Sequence, residues 1–176
     1  MQKVICYTDG SCNASTKKGG VGVYMYVMKN GVKHENRLSQ GYSNTKTGRM
    51  EIIAVLTAMR AISITARKST KLHIQSDSQY VVNSINRKWV WNWMIHNGGL
   101  NERTNGQLWA QFVELYSTFP VGNFVITWCR GHSGIAGNEE ADHLAGLGYK
   151  GNDHIEDIWY SEWELLEERK RISLKK

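Results

Sequence analysis

The chain has 176 residues, of which 41% are apolar and 22% charged, a length and composition typical of one ordinary folded domain. Its three cysteines, Cys6, Cys12 and Cys129, show no C-x-x-C spacing, which argues against a disulfide framework and against a zinc site built on cysteine. The net charge is +6, but residues 151–176 hold seven acidic and five basic residues, so the first 150 residues carry 17 basic and nine acidic ones. This bias favours nucleic acid as the partner, although charge alone leaves a merely basic soluble protein as the alternative.

Targeting and membrane signals are weak. No stretch approaches the roughly 20 apolar residues of a membrane-spanning helix, and the N-terminus lacks the apolar run of a signal peptide. Free cysteines are most simply explained by a reducing compartment. We therefore expect a soluble cytoplasmic protein without a membrane partner.

Apolar runs that end in turn residues predict five strands. They cover residues 4–8, 21–27, about 32–40, 71–75 and 124–128. The first three follow one another, with a hairpin signal at Lys29, Asn30 and Gly31. This part of the chain therefore predicts three antiparallel strands.

Apolar residues at helical spacing predict the helices. They cover residues 47–63, 77–86, a continued or restarted segment at 89–93, 107–117 and 138–148. Ser76 or Asp77 is the expected cap of the second helix, and Asn97, Gly98 and Gly99 are expected to end the third. Strands followed by alternating helices and strands are typical of an α/β domain with a mixed sheet.

We expect the domain to cover residues 1–150 and residues 151–176 to form a partly helical C-terminal extension. Trp159, Trp163 and Leu166 would line one face of its helix. Packing of that face on the domain is the first interpretation, and a partner helix is the alternative.

Four carboxylates occupy distinctive settings. Asp9 ends the first strand, Asp77 follows the fourth, Glu51 lies on or beside the apolar face of a helix, and Asp142 lies in the first turns of the last helix. Considered one at a time, three of them have a structural explanation. Asp9 would form a turn, Asp77 would cap a helix, and Asp142 would be a charge favoured near a helix N-terminus. Glu51 is harder to explain, because a carboxylate on an apolar face is costly unless paired, protonated or bound to metal.

If the first and fourth strands are neighbours, these four carboxylates converge at one edge of the sheet. Such a cluster repels itself without a cation, and hard oxygen ligands suit Mg²⁺ or Mn²⁺. Two divalent ions would bind a phosphate between them, so metal-assisted phosphodiester cleavage fits better than glycoside hydrolysis, which needs only two carboxylates.

His132 lies in a glycine-rich loop, between Gly131 and Gly134. A histidine there would shuttle a proton to the leaving group or help the product depart. A solvent-exposed loop histidine without a catalytic role is the alternative.

Five motifs in this order resemble type 1 ribonuclease H of the bacterial and phage kind, through residues 2–148. They are Tyr-Thr-Asp-Gly-Ser-Cys at 7–12, Arg-Met-Glu at 49–51, Asp-Ser-Gln-Tyr-Val at 77–81, Gly-His-Ser-Gly at 131–134 and Asn-Glu-Glu-Ala-Asp-His-Leu-Ala at 138–145. The resemblance implies a five-stranded mixed sheet, with the first three strands antiparallel and helices on both faces. It also implies endonucleolytic cleavage of RNA in RNA–DNA hybrids, with two Mg²⁺ ions and with 5′-phosphate and 3′-hydroxyl products.

Carried over by position, the metal ligands are Asp9, Glu51, Asp77 and Asp142, and the catalytic loop histidine is His132. The residues that fall where the family lines its substrate groove are Gly10, Ser11, Cys12, Arg49, Met50 and Gln79. Hybrids expose 2′-hydroxyls in a wide, shallow minor groove, which backbone amides and small polar side chains contact without reading sequence.

The chain departs from the family pattern near this groove. Lys46 and Thr47 stand where relatives carry an amide or hydroxyl, so either is a candidate phosphate contact. Between Trp93 and residue 108 only Arg103 is basic, whereas relatives with a basic protrusion carry several lysines or arginines. Trp89 and Trp93 share a helix face and are candidates to bracket the DNA strand, with core aromatics as the alternative.

Three functions remain open at this point. A monomeric hybrid-specific ribonuclease is the leading interpretation. A catalytically impaired hybrid-binding module and a DNA nuclease of related fold are the alternatives, and loss of activity on changing Asp9→Asn would exclude the former.

Overall fold

The computed structural model describes residues 1–96 and 98–174, with a six-stranded mixed sheet at the centre. The strands are β1 (Gln2–Asn13), β2 (Lys18–Lys29), β3 (Val32–Ser43), β4 (Thr70–Ser76), β5 (Phe124–Trp128) and β6 (His154–Glu156). Their order across the sheet is β5-β4-β1-β2-β3-β6. The antiparallel pairing of β1 with β2 and of β2 with β3 confirms the predicted meander.

The turn between β2 and β3 follows from its sequence. Asn30 and Gly31 have φ angles of 51° and 77°, and two successive left-handed residues are what a two-residue hairpin loop requires. β4 then pairs with β1, and β5 with β4, both in the parallel sense.

The predicted count of five strands was one too few. β6 adds to the far edge of the sheet, parallel to β3, through pairs such as Gly41 with His154. A three-residue strand is too short to leave a periodic pattern, so β6 could not be predicted from periodicity. The residues after 150 therefore join the sheet through β6 before they form a helix.

The helices are α1 (Thr47–Arg60), α2 (Ile64–Arg67), α3 (Gln79–Asn86), α4 (Trp89–Ile95), α5 (Gly106–Ser117), α6 (Ala136–Lys150) and α7 (Ile158–Ser173). α1 ends three residues earlier than predicted and α6 begins two residues earlier. Ser78, rather than Ser76 or Asp77, caps α3, since its hydroxyl accepts a hydrogen bond from the Val81 amide. α4 ends at Ile95, before Gly98 and Gly99, whose φ angles of 78° and 75° do not continue a helix, whereas Asn97 of the predicted break lies outside the described residues. In the part of the chain that the structure describes, no helix is both long and apolar enough to cross a bilayer.

Helices lie on both faces of the sheet, as predicted. Gly19 of β2 faces the Met50 side chain of α1, whereas its neighbour Gly20 faces the backbone of α6. The main core fills the α1 side, where the largest fully buried apolar side chains of the helices are Met50, Ile52, Leu56, Met59, Trp109 and Phe112. α6 covers the opposite side of β1, β2 and β3.

α6 approaches the sheet so closely that Gly22 has no room for a side chain. A Cβ there would lie 2.0 Å from the Ala141 carbonyl oxygen and 2.5 Å from the Ala145 amide nitrogen, both backbone atoms of α6. Gly22→Ala should therefore lower the free energy of unfolding by about 1–3 kcal/mol, the usual cost of overpacking. Equilibrium urea unfolding measures it.

Gly146, in the middle of α6, provides the matched control. An added Cβ there meets nothing within 4 Å. Gly146→Ala should stabilise the protein by up to about 1 kcal/mol, because alanine is the better helix former. Equal effects of the two substitutions would show that α6 does not rest directly on Gly22.

Candidate active site

The sheet register brings Asp9 and Asp77 side by side. β1 and β4 run parallel with Thr8 paired to Ser76, so the next residue of each chain is one of the two aspartates. β1 continues through Asp9, which pairs with Gly22 of β2, whereas β4 ends at Ser76. Because α6 rests on Gly22, it carries Asp142 over the same point of the sheet.

The environment of Asp9 disfavours its charged form. The pKa of Asp9 is raised to about 7, first by burial and then by the neighbouring Asp77 and Asp142 carboxylates. A hydrogen bond from the Gly10 amide to Asp9 Oδ1, at 2.8 Å, opposes these effects only in part. Three carboxylates from β1, the end of β4 and α6 are therefore electrostatically coupled.

Glu51 reaches this group from the α1 side. Burial raises the pKa of Glu51, with a smaller contribution from Asp77, while a hydrogen bond with Ser78 acts in the opposite direction. The four carboxylates therefore interact in pairs. Asp9 interacts with Asp77 and with Asp142, and Glu51 interacts with Asp77. Across residues 1–96 and 98–174, no three acidic, histidine or cysteine side chains are already grouped around one ion-sized position.

A family model described as RNase H matches residues 1–150. The chain belongs to the RNase H family. A ribonuclease H from Actinobacillus pleuropneumoniae serotype 5b (strain L20) is 34% identical over 164 residues, which are 92% of this chain and 99% of the relative. Another, from Syntrophus aciditrophicus (strain SB), is 35% identical over 147 residues, 82% of this chain and 79% of the relative.

A solved structure agrees with these relatives. The crystal structure of LC9-RNase H1, described as a type 1 RNase H with the type 2 active-site motif, aligns with a TM-score of 0.69 at 28% identity. The alignment covers 93% of this chain and 81% of that one. The resemblance to type 1 ribonuclease H is thereby confirmed, and the protein is a hydrolase of the ribonuclease H kind.

In this RNase H, Asp77 is held from three sides. The Trp128 indole donates a hydrogen bond to its carbonyl oxygen at 3.0 Å, and the Asn138 amide donates to its Oδ2 at 3.4 Å. A Cβ on Gly131 would lie 2.6 Å from Asp77 Oδ2, so the following loop packs directly on the carboxylate. No sequence pattern assigned a role to Trp128, and Asn138 stood out only as part of the motif at residues 138–145.

His132 lies at the tip of that loop. Its side chain is exposed and its φ is 50°, in the left-handed region that non-glycine residues seldom adopt. The Ser133 hydroxyl donates to the Arg130 carbonyl at 2.7 Å and closes the turn. The loop therefore presents His132 to solvent next to Asp77.

The residues predicted to line the substrate groove differ in accessibility. Gly10 is buried, Ser11 and Cys12 are half-buried, and Thr47 and Gln79 are exposed. The Cys12 thiol donates to the Thr45 carbonyl at 3.4 Å, which ties β1 to the segment before α1. The exposed members remain available to a ligand.

Arg49 and Met50 are not available through their side chains, which corrects the prediction for these two residues. Met50 is fully buried beneath the sheet, and Arg49 is only 1% exposed. The Arg49 guanidinium pairs with Asp157, through Nε to Oδ2 at 2.5 Å and Nη2 to Oδ1 at 2.8 Å. Asp157 lies in the extension, beyond the resemblance, so no motif pointed to this pair.

Trp89 and Trp93 lie at the boundary between the core and the surface. Both are half-buried on α4, with ring centroids 6.4 Å apart, and Trp93 also lies 6.1 Å from the core residue Trp109. A surface pocket next to Trp93 is lined by Lys46 and by residues of the segment before α5, including Arg103 and Asn105. Lys46 therefore faces the same pocket as the exposed edge of Trp93.

Proposed function

We propose that this RNase H cleaves the RNA strand of RNA–DNA hybrids endonucleolytically, with two Mg²⁺ ions, and leaves 5′-phosphate and 3′-hydroxyl ends. The observation that carries the proposal is the convergence of carboxylates: the Thr8–Ser76 pairing makes Asp9 and Asp77 neighbours, and α6, which rests on Gly22, brings Asp142 to the same point. The raised pKa of Asp9, caused first by burial and then by Asp77 and Asp142, agrees with it. A carboxylate disfavoured by its neighbours becomes favourable once cations lie between them, so the site fits divalent metal.

The ligands proposed for the ions are Asp9, Glu51, Asp77 and Asp142. All of their donor atoms are hard oxygens, which suit Mg²⁺ and allow Mn²⁺ to substitute. The chemistry that two bound divalent ions supply is activation of water and stabilisation of the leaving oxygen. Trp128 and Asn138 hold Asp77 in position, since each donates a hydrogen bond to it.

His132 is proposed to transfer a proton at the leaving group or to assist product release. Its exposure and its place on the loop that packs against Asp77 support this role. General acid–base groups of this kind typically contribute about 10²- to 10⁴-fold to rate.

The substrate contacts proposed here are grouped around two surfaces. Gly10, Ser11, Cys12 and Gln79 adjoin the carboxylates and would meet the minor groove of the hybrid, where 2′-hydroxyls are displayed. Lys46, Thr47, Trp89 and Trp93 would contact the sugar–phosphate backbone, because a lysine beside aromatic rings is a common arrangement for binding nucleic-acid strands.

The test is cleavage of one end-labelled RNA strand, offered single-stranded, paired with RNA and paired with DNA. Each form is incubated with Mg²⁺, Mn²⁺ or chelator, beside the Asp77→Asn variant. We expect cleavage of the hybrid alone, and only with metal. The variant should lose at least about 10³-fold in activity, because Asp77 is the proposed ligand that neighbours both Asp9 and Glu51. Chemical mapping of the cut ends reports the 5′-phosphate and 3′-hydroxyl.

Two outcomes would replace the proposal. Hybrid binding without cleavage by a folded protein would favour a binding module, and cleavage of duplex DNA would favour a nuclease of related fold. The monomeric state and the cytoplasmic location stay predictions; sedimentation at several concentrations tests the first.

A further inference from the structure

α7 covers a pair of lysines beside the proposed substrate surface. Lys17 Nζ lies 2.7 Å from Glu164 Oε2, in an ion pair that joins the β1–β2 turn to α7. The Lys17 carbonyl accepts a hydrogen bond from the Thr45 amide at 3.0 Å, so Lys17 lies next to the segment that carries Lys46. Both lysines line one surface pocket with three carboxylates of α7, which are Glu164, Glu167 and Glu168.

Glu164 is the centre of this arrangement. Its pKa is lowered, chiefly by the hydrogen bond from Lys17, with further contributions from a Tyr160 hydrogen bond and from the charges of Lys17 and Lys46. Lys46 Nζ lies 5.3 Å from the centroid of the Tyr160 ring. The carboxylate therefore contacts the Lys17 ammonium directly and faces Lys46 across the shared pocket.

These lysines lie on the active-site side of the fold. Lys46 is the residue before α1, five positions ahead of Glu51 and so roughly 7.5 Å from it along the helix axis. It also lines the pocket that contains Trp93. A nucleic-acid strand that contacts Trp93 and Lys46 would bring its phosphates towards Glu164.

We propose that Glu164 competes with hybrid phosphates for Lys17 and Lys46, so that α7 lowers the affinity of the enzyme for its substrate. Lys17 thereby becomes a further phosphate contact, available once the ion pair opens. The inference rests on the proposed hybrid-binding function.

The ion pair is suited to such an exchange. Lys17 is 48% and Glu164 36% exposed, and pairs between exposed side chains are weak enough for a phosphate to displace them. The anchor of α7 is separate, because Asp157 binds Arg49 in the interior. Neutralising Glu164 should therefore free the lysines without detaching the helix.

The experiment compares Glu164→Gln with Glu162→Gln, which removes the same charge from an exposed position of the same helix. Hybrid affinity is measured in chelator by fluorescence anisotropy of a labelled duplex, over a range of salt concentrations. We expect Glu164→Gln to lower Kd about 3- to 10-fold and Glu162→Gln by less than about 2-fold. Each lysine that gains a phosphate should steepen the slope of log Kd against log salt by about 0.7–0.9.

A third variant identifies the lysines as the cause. In the Glu164→Gln background, Lys17→Gln should weaken binding more than it does in the otherwise unchanged protein, because only the freed lysine contacts phosphate. Equal effects of Glu164→Gln and Glu162→Gln, with an unchanged salt slope, would overturn the competition even if the protein cleaves hybrids normally. Absence of both hybrid binding and hybrid cleavage in the unchanged protein would overturn the proposed function and this inference with it.

Discussion

Asp9→Asn should abolish hybrid cleavage and at the same time make the metal-free protein more stable near neutral pH. The substitution removes a proposed metal ligand, so we expect activity to fall by at least about 10³-fold. It also removes a partly buried negative charge that Asp77 and Asp142 repel. One residue thus contributes to activity and opposes stability, which is common at sites that gather like charges.

The stabilisation expected from Asp9→Asn should depend on pH. The pKa of Asp9 is about 7 in the folded protein, against about 3.9 in an unfolded chain, so the folded state holds the proton more tightly. The stability that this proton contributes is complete below about pH 4 and is lost as the pH rises through about 7. The gain from Asp9→Asn should therefore grow over this interval to the order of 1–4 kcal/mol, at about 1.4 kcal/mol per pKa unit.

Thermal unfolding in chelator at pH 4, 5.5 and 7.5 measures the effect. A gain of this size raises Tm by roughly 2–4 °C per kcal/mol in a chain of this length. Asp153→Asn, which neutralises an exposed carboxylate, should change Tm little at any of these pH values. Adding Mg²⁺ should raise Tm of the unchanged protein more than that of Asp9→Asn. A variant that is equally or less stable at pH 7.5 would show that the carboxylates are not close enough to repel.

The pairing of Asp9 with Asp77 was predictable because each directly follows an apolar run, and the carboxyl ends of parallel strands meet at one edge of a sheet. The observed strand register places the two aspartates next to each other, because Thr8 lies opposite Ser76. Glu51 was conspicuous in the sequence because a carboxylate on an apolar helix face needs a reason. These inferences depend on local patterns, which a single sequence records well.

The contacts that orient the site were not predictable in the same way. Trp128 and Asn138 act on Asp77 from β5 and α6, and nothing local to either residue identifies its partner. The prediction for Arg49 failed in a different way. A motif suggested that Arg49 contacts the substrate, whereas its side chain forms a buried ion pair with Asp157. Polar pairs between residues far apart in the sequence form only in the packed fold, so periodicity and motif spacing do not predict them.

Asp157→Asn should destabilise the protein more than any substitution on the surface. Asp157 accepts hydrogen bonds from Arg49 Nε, from Arg49 Nη2 and from the Thr45 hydroxyl at 2.9 Å, and both members of the ion pair are buried. Losing the charge leaves a guanidinium in the interior without a counter-charge, which typically costs about 3–5 kcal/mol. Urea unfolding measures the loss, and hydrogen exchange should show faster exchange throughout α7.

Glu156→Gln is the neighbouring control. Glu156 is exposed and accepts a hydrogen bond from the Asn44 amide at 3.0 Å, so its neutralisation should change the free energy of unfolding by no more than about 0.5 kcal/mol. The double variant Arg49→Met with Asp157→Leu tests the cause, because replacing both charges by apolar groups leaves none unpaired. It should be more stable than Asp157→Asn alone.

If instead the double variant loses as much as the two single substitutions together, the fold depends on the hydrogen bonds of Arg49 to the segment before α5 and not on the ion pair. Arg49 Nη1 donates to the Thr104 carbonyl at 3.1 Å, so that segment offers a second anchor for the same side chain. Activity separates the two cases, because Glu51 lies one half-turn beyond Arg49 on α1. Loss of the ion pair alone should loosen α7 and leave cleavage largely intact below the unfolding transition. Loss of the Arg49 anchor should displace the start of α1 and lower kcat.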